Sequence, residues 1–155
     1  MNYIIISGDN MEKFMNHSFT IGEITFVNIV KAGTGAKVHK NRKSHGLAVF
    51  LGGERTFYFE HKKIKVEGNT IVYFPKGSNY TIKEKIPFDC YAINFEMPDN
   101  ACFEPFSFKV KNVNAYLESF KQAQRQQMRK TTGYDSKIKS ELYNIIYNMQ
   151  SEYNL

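Results

Sequence analysis

The densest group of side chains that can do chemistry lies between residues 39 and 45, which read His39-Lys-Asn-Arg42-Lys-Ser-His45. A guanidinium such as Arg42 binds a carboxylate or phosphate through paired hydrogen bonds, and it also donates to sugar hydroxyls. A small-molecule site needs a few such groups directed into an apolar cavity. The same residues can instead brace the loop ahead of the next strand, and the sequence leaves both interpretations open.

The histidines do not predict a metal centre. A protein-bound zinc takes three or four protein ligands, whereas His39 and His45 supply two and no histidine or glutamate stands at the matching place after Pro75. Ser44 precedes His45 directly, and neighbours on a strand point apart, so no nucleophile–base pair is readable. We therefore predict no catalytic residue, no metal and no cofactor.

Residues up to about 110 carry strand signals, which are short apolar runs separated by turn residues. The predicted strands are Ile24–Val30, Leu47–Leu51, Arg55–Phe59, Ile64–Val66, Thr70–Phe74, Tyr80–Ile82 and Cys90–Glu96. Many short strands of this kind predict a β-sandwich or barrel. Gly52-Gly53 predicts a hairpin turn between the second and third strands. In the last strand, Asn94 and Ile93 lie on opposite faces because side chains alternate.

From residue 112 onward the apolar positions follow helical periodicity. One helix is predicted from about 113 to 130, and a second begins near Tyr134 and continues to the end of the sequence, with no stop signal. This absence predicts a fragment of a longer protein. The apolar stripes either pack within one protomer or form a dimer seam, and we assign these positions to a homodimer contact: Leu117, Phe120, Ile138, Leu142, Ile145 and Met149.

Charge and cysteine usage narrow the class of protein. The net charge is +6, but the basic residues are spread over 37–43, 62–65 and 121–139 and form no single stripe that would bind DNA. The two cysteines stand at no metal-ligand spacing, and Cys90 is expected to be a buried apolar side chain. No apolar run is long enough to span a membrane, and no signal peptide is visible. These features predict a cytoplasmic protein.

Four segments, taken in order, resemble the N-terminal regulatory domain of AraC-type transcriptional regulators. They are His39-x-x-Arg42-x-x-His45-x-Leu47, Phe50-x-Gly52, Gly68 to Pro75-Lys-Gly77-Ser-x-Tyr80, and Tyr91-x-Ile93-Asn94-Phe95. The final helix, Gly133-Tyr134-x-x-Lys137, resembles the linker helix of that family, and the likeness covers about residues 20 to 155. One departure is visible: six residues separate Gly68 from Pro75, where cupin motifs more often have five. Metal-binding cupins carry histidine where this chain has Tyr80.

The resemblance implies a fold and a division of labour. Residues 20–110 would form a cupin-like antiparallel β-barrel (a double-stranded β-helix, or jelly roll), followed by two antiparallel α-helices over 111–155, with 1–19 as an arm over the pocket. The barrel would bind a small effector, often a sugar, the helices would dimerise, and a helix-turn-helix domain after residue 155 would bind DNA. The predicted ligand-binding residues are His39, Arg42, His45, Tyr58, Tyr73, Tyr80 and Asn94.

Two other classes of function stay open. A stand-alone cupin enzyme, such as a metal-free sugar isomerase or a metal-dependent dioxygenase, would use the same barrel for catalysis. A purely structural dimer module would bind no ligand, and its barrel would be empty. Elemental analysis separates the metal-dependent enzyme from a sensor, because only the enzyme retains stoichiometric metal.

Overall fold

A computed structural model of the protein describes residues 11–154, and these form two antiparallel sheets and two long helices. The helices and strands are α1 (Glu12–Met15), β1 (Ile24–Val30), β2 (Val38–His39), β3 (His45–Phe50), β4 (Glu54–Phe59), β5 (Lys63–Val66), β6 (Thr70–Phe74), β7 (Tyr80–Ile86), β8 (Cys90–Phe95), β9 (Phe106–Lys109), α2 (Val113–Arg129) and α3 (Tyr134–Tyr153). The prediction of a mainly β protein with two C-terminal helices is confirmed.

The strands are divided between a five-stranded and a four-stranded sheet. The first has the order β1-β8-β3-β6-β9 and the second the order β2-β7-β4-β5, and every recorded strand pair is antiparallel. An aromatic cluster lies between the sheets; its largest members are Phe50, Phe57, Phe59, Phe74 and Tyr80. The five-stranded sheet is therefore covered on one face by the smaller sheet and on the other by the helices.

This arrangement explains why β3 and β6 are apolar throughout. All residues of β3 and of β6 are buried, because the aromatic cluster lies on one side of them and the helices lie on the other. A strand covered on both faces loses the apolar–polar alternation that marks a half-buried strand. The apolar run that begins at Leu47 is therefore buried on both faces of the sheet.

The predicted hairpin at Gly52-Gly53 is wrong. β3 pairs with β6 and β8, while β4 pairs with β5 and β7, so the glycine pair carries the chain from one sheet to the other. A Cβ on either glycine would lie within 3.0 Å of the Phe88 side chain, and Gly53 has a φ of +79°. The glycines thus serve a tight crossover against Phe88, a use that the local sequence does not distinguish from a hairpin turn.

The two helices pair antiparallel and cover the outer face of the five-stranded sheet. Tyr116, near the start of α2, donates a hydrogen bond to Glu152 near the end of α3, and Asn144 donates to Ser119 further along. Lys130 and Gly133 adopt positive φ angles in the short connection between the helices. The predicted limits of α2, 113 to 130, and the predicted start of α3, Tyr134, agree with the structure to within one residue.

The six residues assigned to a dimer seam lie inside the protomer. Phe120, Ile138, Leu142, Ile145 and Met149 are at most 1 % exposed and Leu117 is half-buried, all packed in the core between the helices and the sheet. Side chains already covered by their own chain are unavailable to a partner. In this arrangement the stripe is the protomer's core, and any dimer contact must use other residues.

The described part of the N-terminal segment also packs on the helix side. Phe14 in α1 is fully buried against Tyr73, Phe103 and Phe106. Residues 11–19 therefore do not cover the space between the sheets, contrary to the expectation of an arm over the pocket. Residues 1–10 lie outside the described residues. Within residues 11–154, no helix is both long enough and apolar enough to cross a membrane.

Candidate functional site

A cavity of about 210 Å³ lies between the two sheets. Its wall is mostly aliphatic and aromatic, with polar side chains at its ends. The lining residues are Phe26, Val30, His39, Arg42, Leu47, Ala48, Phe50, Arg55, Phe57, Phe74, Tyr80, Ile82, Cys90, Ala92 and Asn94. Small residues at 48 and 92, which face each other across β3 and β8, leave the space that larger side chains would fill.

Arg42 is the centre of the polar group at one end of this cavity. Its Nη1 donates to the Tyr80 hydroxyl at 2.6 Å, its Nη2 donates to Asn94 Oδ1 at 2.7 Å, and its Nε donates to the Ser44 carbonyl at 3.0 Å. The guanidinium also lies over the Phe74 ring, 4.8 Å from the ring centre. Three hydrogen bonds and a cation–π contact hold the group in one orientation.

Tyr80 and His39 form the neighbouring wall. Their rings stack with centres 4.7 Å apart, and His39 Nε2 lies 2.9 Å from the Ala36 carbonyl, which can only accept. Burial raises the pKa of the Tyr80 hydroxyl above its ordinary value, and the nearby Arg42 opposes this only in part. Tyr80 therefore keeps its proton at neutral pH, and its O–H remains a donor.

Gly46 makes the approach of Arg42 to Asn94 possible. Strands β3 and β8 pair so that Gly46 lies directly opposite Asn94. A Cβ at residue 46 would stand 2.2 Å from Arg42 Nη2 and 2.7 Å from Asn94 Oδ1. Only glycine leaves room for this hydrogen bond, and the atoms that would collide are the mobile ends of side chains.

Arg55 was not predicted as a cavity residue. It is 8 % exposed, donates to the Phe88 carbonyl at 2.7 Å, and pairs with Glu84 at 3.5 Å. It lies over the Phe50 ring at the opposite end of the cavity from Arg42. The sequence contains a signal for this position: Arg55 lies two residues before the inward-facing Phe57, and residues two apart on a strand share a face.

The structure divides the seven predicted ligand-binding residues into two sets. His39, Arg42, Tyr80 and Asn94 line the cavity together. His45, Tyr58 and Tyr73 lie outside this lining, so the structure does not bring them together with the other four. Tyr58 faces outward from the smaller sheet, beside Val38 and Thr81, because β4 directs Phe57 and Phe59 inward.

His45 and Tyr73 lie together on the helix side of the five-stranded sheet. His45 Nδ1 lies 2.9 Å from the Tyr73 hydroxyl, and the Lys76 backbone N–H points at the same nitrogen from 3.3 Å. Burial lowers the pKa of His45 to about 4. His45 is thus a neutral acceptor in the core, one sheet thickness away from His39.

The expected behaviour of Cys90 is confirmed. The side chain is 4 % exposed, and burial raises the pKa of its thiol to about 11.

Within the described part of the chain, no group of three or more histidine, cysteine, aspartate or glutamate side chains is arranged to hold a metal ion. His39 and His45, the two histidines weighed as metal ligands in the sequence analysis, lie on opposite sides of the five-stranded sheet.

No protein-family model matches this chain, and a search of curated proteins finds no significant match. The function is therefore inferred from the chemistry of the cavity and from the sequence resemblance described above.

Proposed function

We propose that this protein is the effector-sensing domain of a transcriptional regulator of the AraC type, and that it binds a small molecule between its two sheets. One observation carries the proposal: a preorganised polar group, built on Arg42, stands at the end of an otherwise apolar cavity. Ligand sites are typically concave and apolar, with a few convergent polar groups. A core that served only stability would gain more by filling this space.

In this proposal the two sheets form the cupin-like barrel that the resemblance implies. The volume between them is small, so the ligand is smaller than a typical drug. Among residues 11–154, the side chains that line the cavity include a single imidazole, His39, and no carboxylate. This set of side chains suits binding better than acid–base or metal chemistry, which is why the sensor is favoured over a cupin enzyme.

Dimerisation through the helices remains part of the proposal, but it uses their outer surface. On α3, Tyr143 is 41 % exposed and Tyr147 is 65 % exposed, one helical turn apart. Ser136, Ser140 and Asn144 lie beside them, and Lys137 and Lys139 lie along the edges of this strip. Exposed tyrosines next to uncharged side chains are typical of a protein contact surface. A ligand would act on DNA binding by favouring one arrangement of such a dimer.

Calorimetric titration with a panel of sugars, small acids, amides and amines tests the sensor claim. Ala92→Leu provides the matched probe, because it replaces a methyl group of the cavity wall by an isobutyl group while keeping the residue apolar. We expect at least one compound class to bind the natural chain and to lose binding in this variant. Ala115→Leu, which adds the same atoms to an exposed position of α2, should bind normally. A panel in which no compound binds the natural chain would refute the sensor claim.

A further inference from the structure

We propose that the ligand is a small monoanionic acid, with one carboxylate on a compact apolar body, and not a sugar. This inference rests on the proposed sensing function and names the class of molecule sensed. It combines three features of the cavity: the direction of its hydrogen-bonding groups, the balance of its charges and the character of its wall.

The polar group at the Arg42 end presents mainly donors. The guanidinium can only donate, so Asn94 must turn its oxygen toward Arg42 and leave its amide N–H groups for other partners. The Tyr80 oxygen likewise accepts from Arg42, which leaves the Tyr80 O–H proton to donate. Arg42 itself uses three of its five N–H donors in recorded bonds. A cluster of donors whose acceptors are already engaged is complementary to an anion.

The charges of the cavity place a single anion at this end. Arg55 already has a carboxylate partner, because it pairs with Glu84 at 3.5 Å; Glu84 also pairs with the half-exposed Lys37 at 3.1 Å. Arg42 has no carboxylate within ion-pair distance among residues 11–154, and its partners Tyr80 and Asn94 are neutral. A partly buried guanidinium without a counter-ion favours an anionic ligand, because a carboxylate would supply both charge and acceptors.

The rest of the wall selects the body of the ligand. Between the two arginines the lining is Ala48, Phe57, Phe74, Ile82 and Ala92, whose side chains offer no hydrogen bond. A sugar buried here would leave most of its hydroxyls unpaired, at a cost of about 1–3 kcal/mol each. A cavity of about 150 Å³ holds one benzene ring, so the space of about 210 Å³ suits one ring with a substituent.

The test compares benzoate with benzamide, two molecules of nearly equal shape that differ in charge. We expect benzoate to bind the natural chain at least about tenfold more tightly, which is the smaller end of the range for hydrogen bonds to charged groups. Cyclohexanecarboxylate and hexanoate serve as further acids, and arabinose and glucose serve as neutral polyols. Arg42→Gln should abolish the preference for the acid. Lys43→Gln, which removes one charge from the exposed neighbouring residue, should keep it.

The outcomes separate this inference from the sensing function. Equal or tighter binding of benzamide or a sugar at the cavity overturns the inference and leaves the sensing function standing. Failure of all three acids at millimolar concentration overturns it as well. An acid preference that survives Arg42→Gln but not Lys43→Gln would place the anion outside the cavity and would also overturn it. Because the comparison of the two isosteres uses the natural chain, it holds even if Arg42→Gln does not fold.

Discussion

At the scale of single residues, the orientation of Arg42 depends on what is absent at residue 46. The guanidinium occupies the space of a missing Cβ and reaches Asn94 through it. The sequence predicted Arg42 as a binding residue from its chemistry alone, because an arginine lies between two histidines there. It could not point to Gly46, because a glycine that admits a neighbouring side chain looks the same in sequence as one that serves a turn.

Gly46→Ala should separate binding from stability. The added methyl group would push Arg42 Nη2 away from Asn94, breaking a charge-assisted hydrogen bond. We expect ligand affinity to fall at least about tenfold, while the free energy of unfolding falls by about 1 kcal/mol. Calorimetric titration and urea unfolding measure the two effects on one protein sample. Unchanged affinity in a folded Gly46→Ala protein would show that Arg42 does not contact the ligand.

His45 should make the stability of the protein depend on pH. Burial lowers its pKa from the ordinary value of about 6.5 to about 4, so the unfolded chain binds the proton more readily than the folded one. The stabilisation is complete above pH 6.5 and is lost as the pH falls toward 4, by up to about 3 kcal/mol. His45→Gln should reduce the slope of the unfolding free energy between these pH values. His61→Gln, at an exposed site, should leave the slope unchanged; equal slopes for all three proteins would contradict the assignment.

At the scale of elements, the sequence predicted strands better than it predicted their inward faces. Alternation correctly placed Asn94 and Ile93 on opposite faces of β8, where the two faces differ in polarity. Alternation failed in β6, because this strand is apolar on both faces and the sequence could not show which face of the sheet Tyr73 lies on. It failed again at Tyr58, since β4 is aromatic at three consecutive positions and one slip in register exchanges the faces.

The helices provide a test of where the protomer core ends. Leu142→Ala should lower the free energy of unfolding by about 3 kcal/mol, because Leu142 is fully buried within one protomer. Tyr147→Ala, on the exposed strip of α3, should change it by no more than about 0.5 kcal/mol in the monomer and should weaken any dimer. Urea unfolding and analytical ultracentrifugation measure the two effects. If Leu142→Ala dissociated a dimer without destabilising the protomer, the packing described for α3 would be wrong.

At the scale of the whole molecule, composition and periodicity predicted a β-rich body with two helices, but not which strands pair. Pairing is set by contacts distant in sequence, and β3 finds its neighbours in β6 and β8 instead of in β4. The same topology creates the cavity, because it brings β3 and β8 of one sheet over β4 and β7 of the other. The site is therefore a product of the fold, and local sequence signals identify only some of its residues.

A two-dimensional NMR titration of the isotope-labelled protein with the compound panel shows directly whether a ligand enters the space between the sheets. If the space between the sheets is a binding site, a ligand will shift the methyl signals of Ala48 and Ala92 and the side-chain signals of Arg42 and Asn94 together. The signals of His45 and Tyr73, behind the sheet, will move less. Shifts confined to surface residues, or no shift of the cavity signals with any compound, would contradict the account.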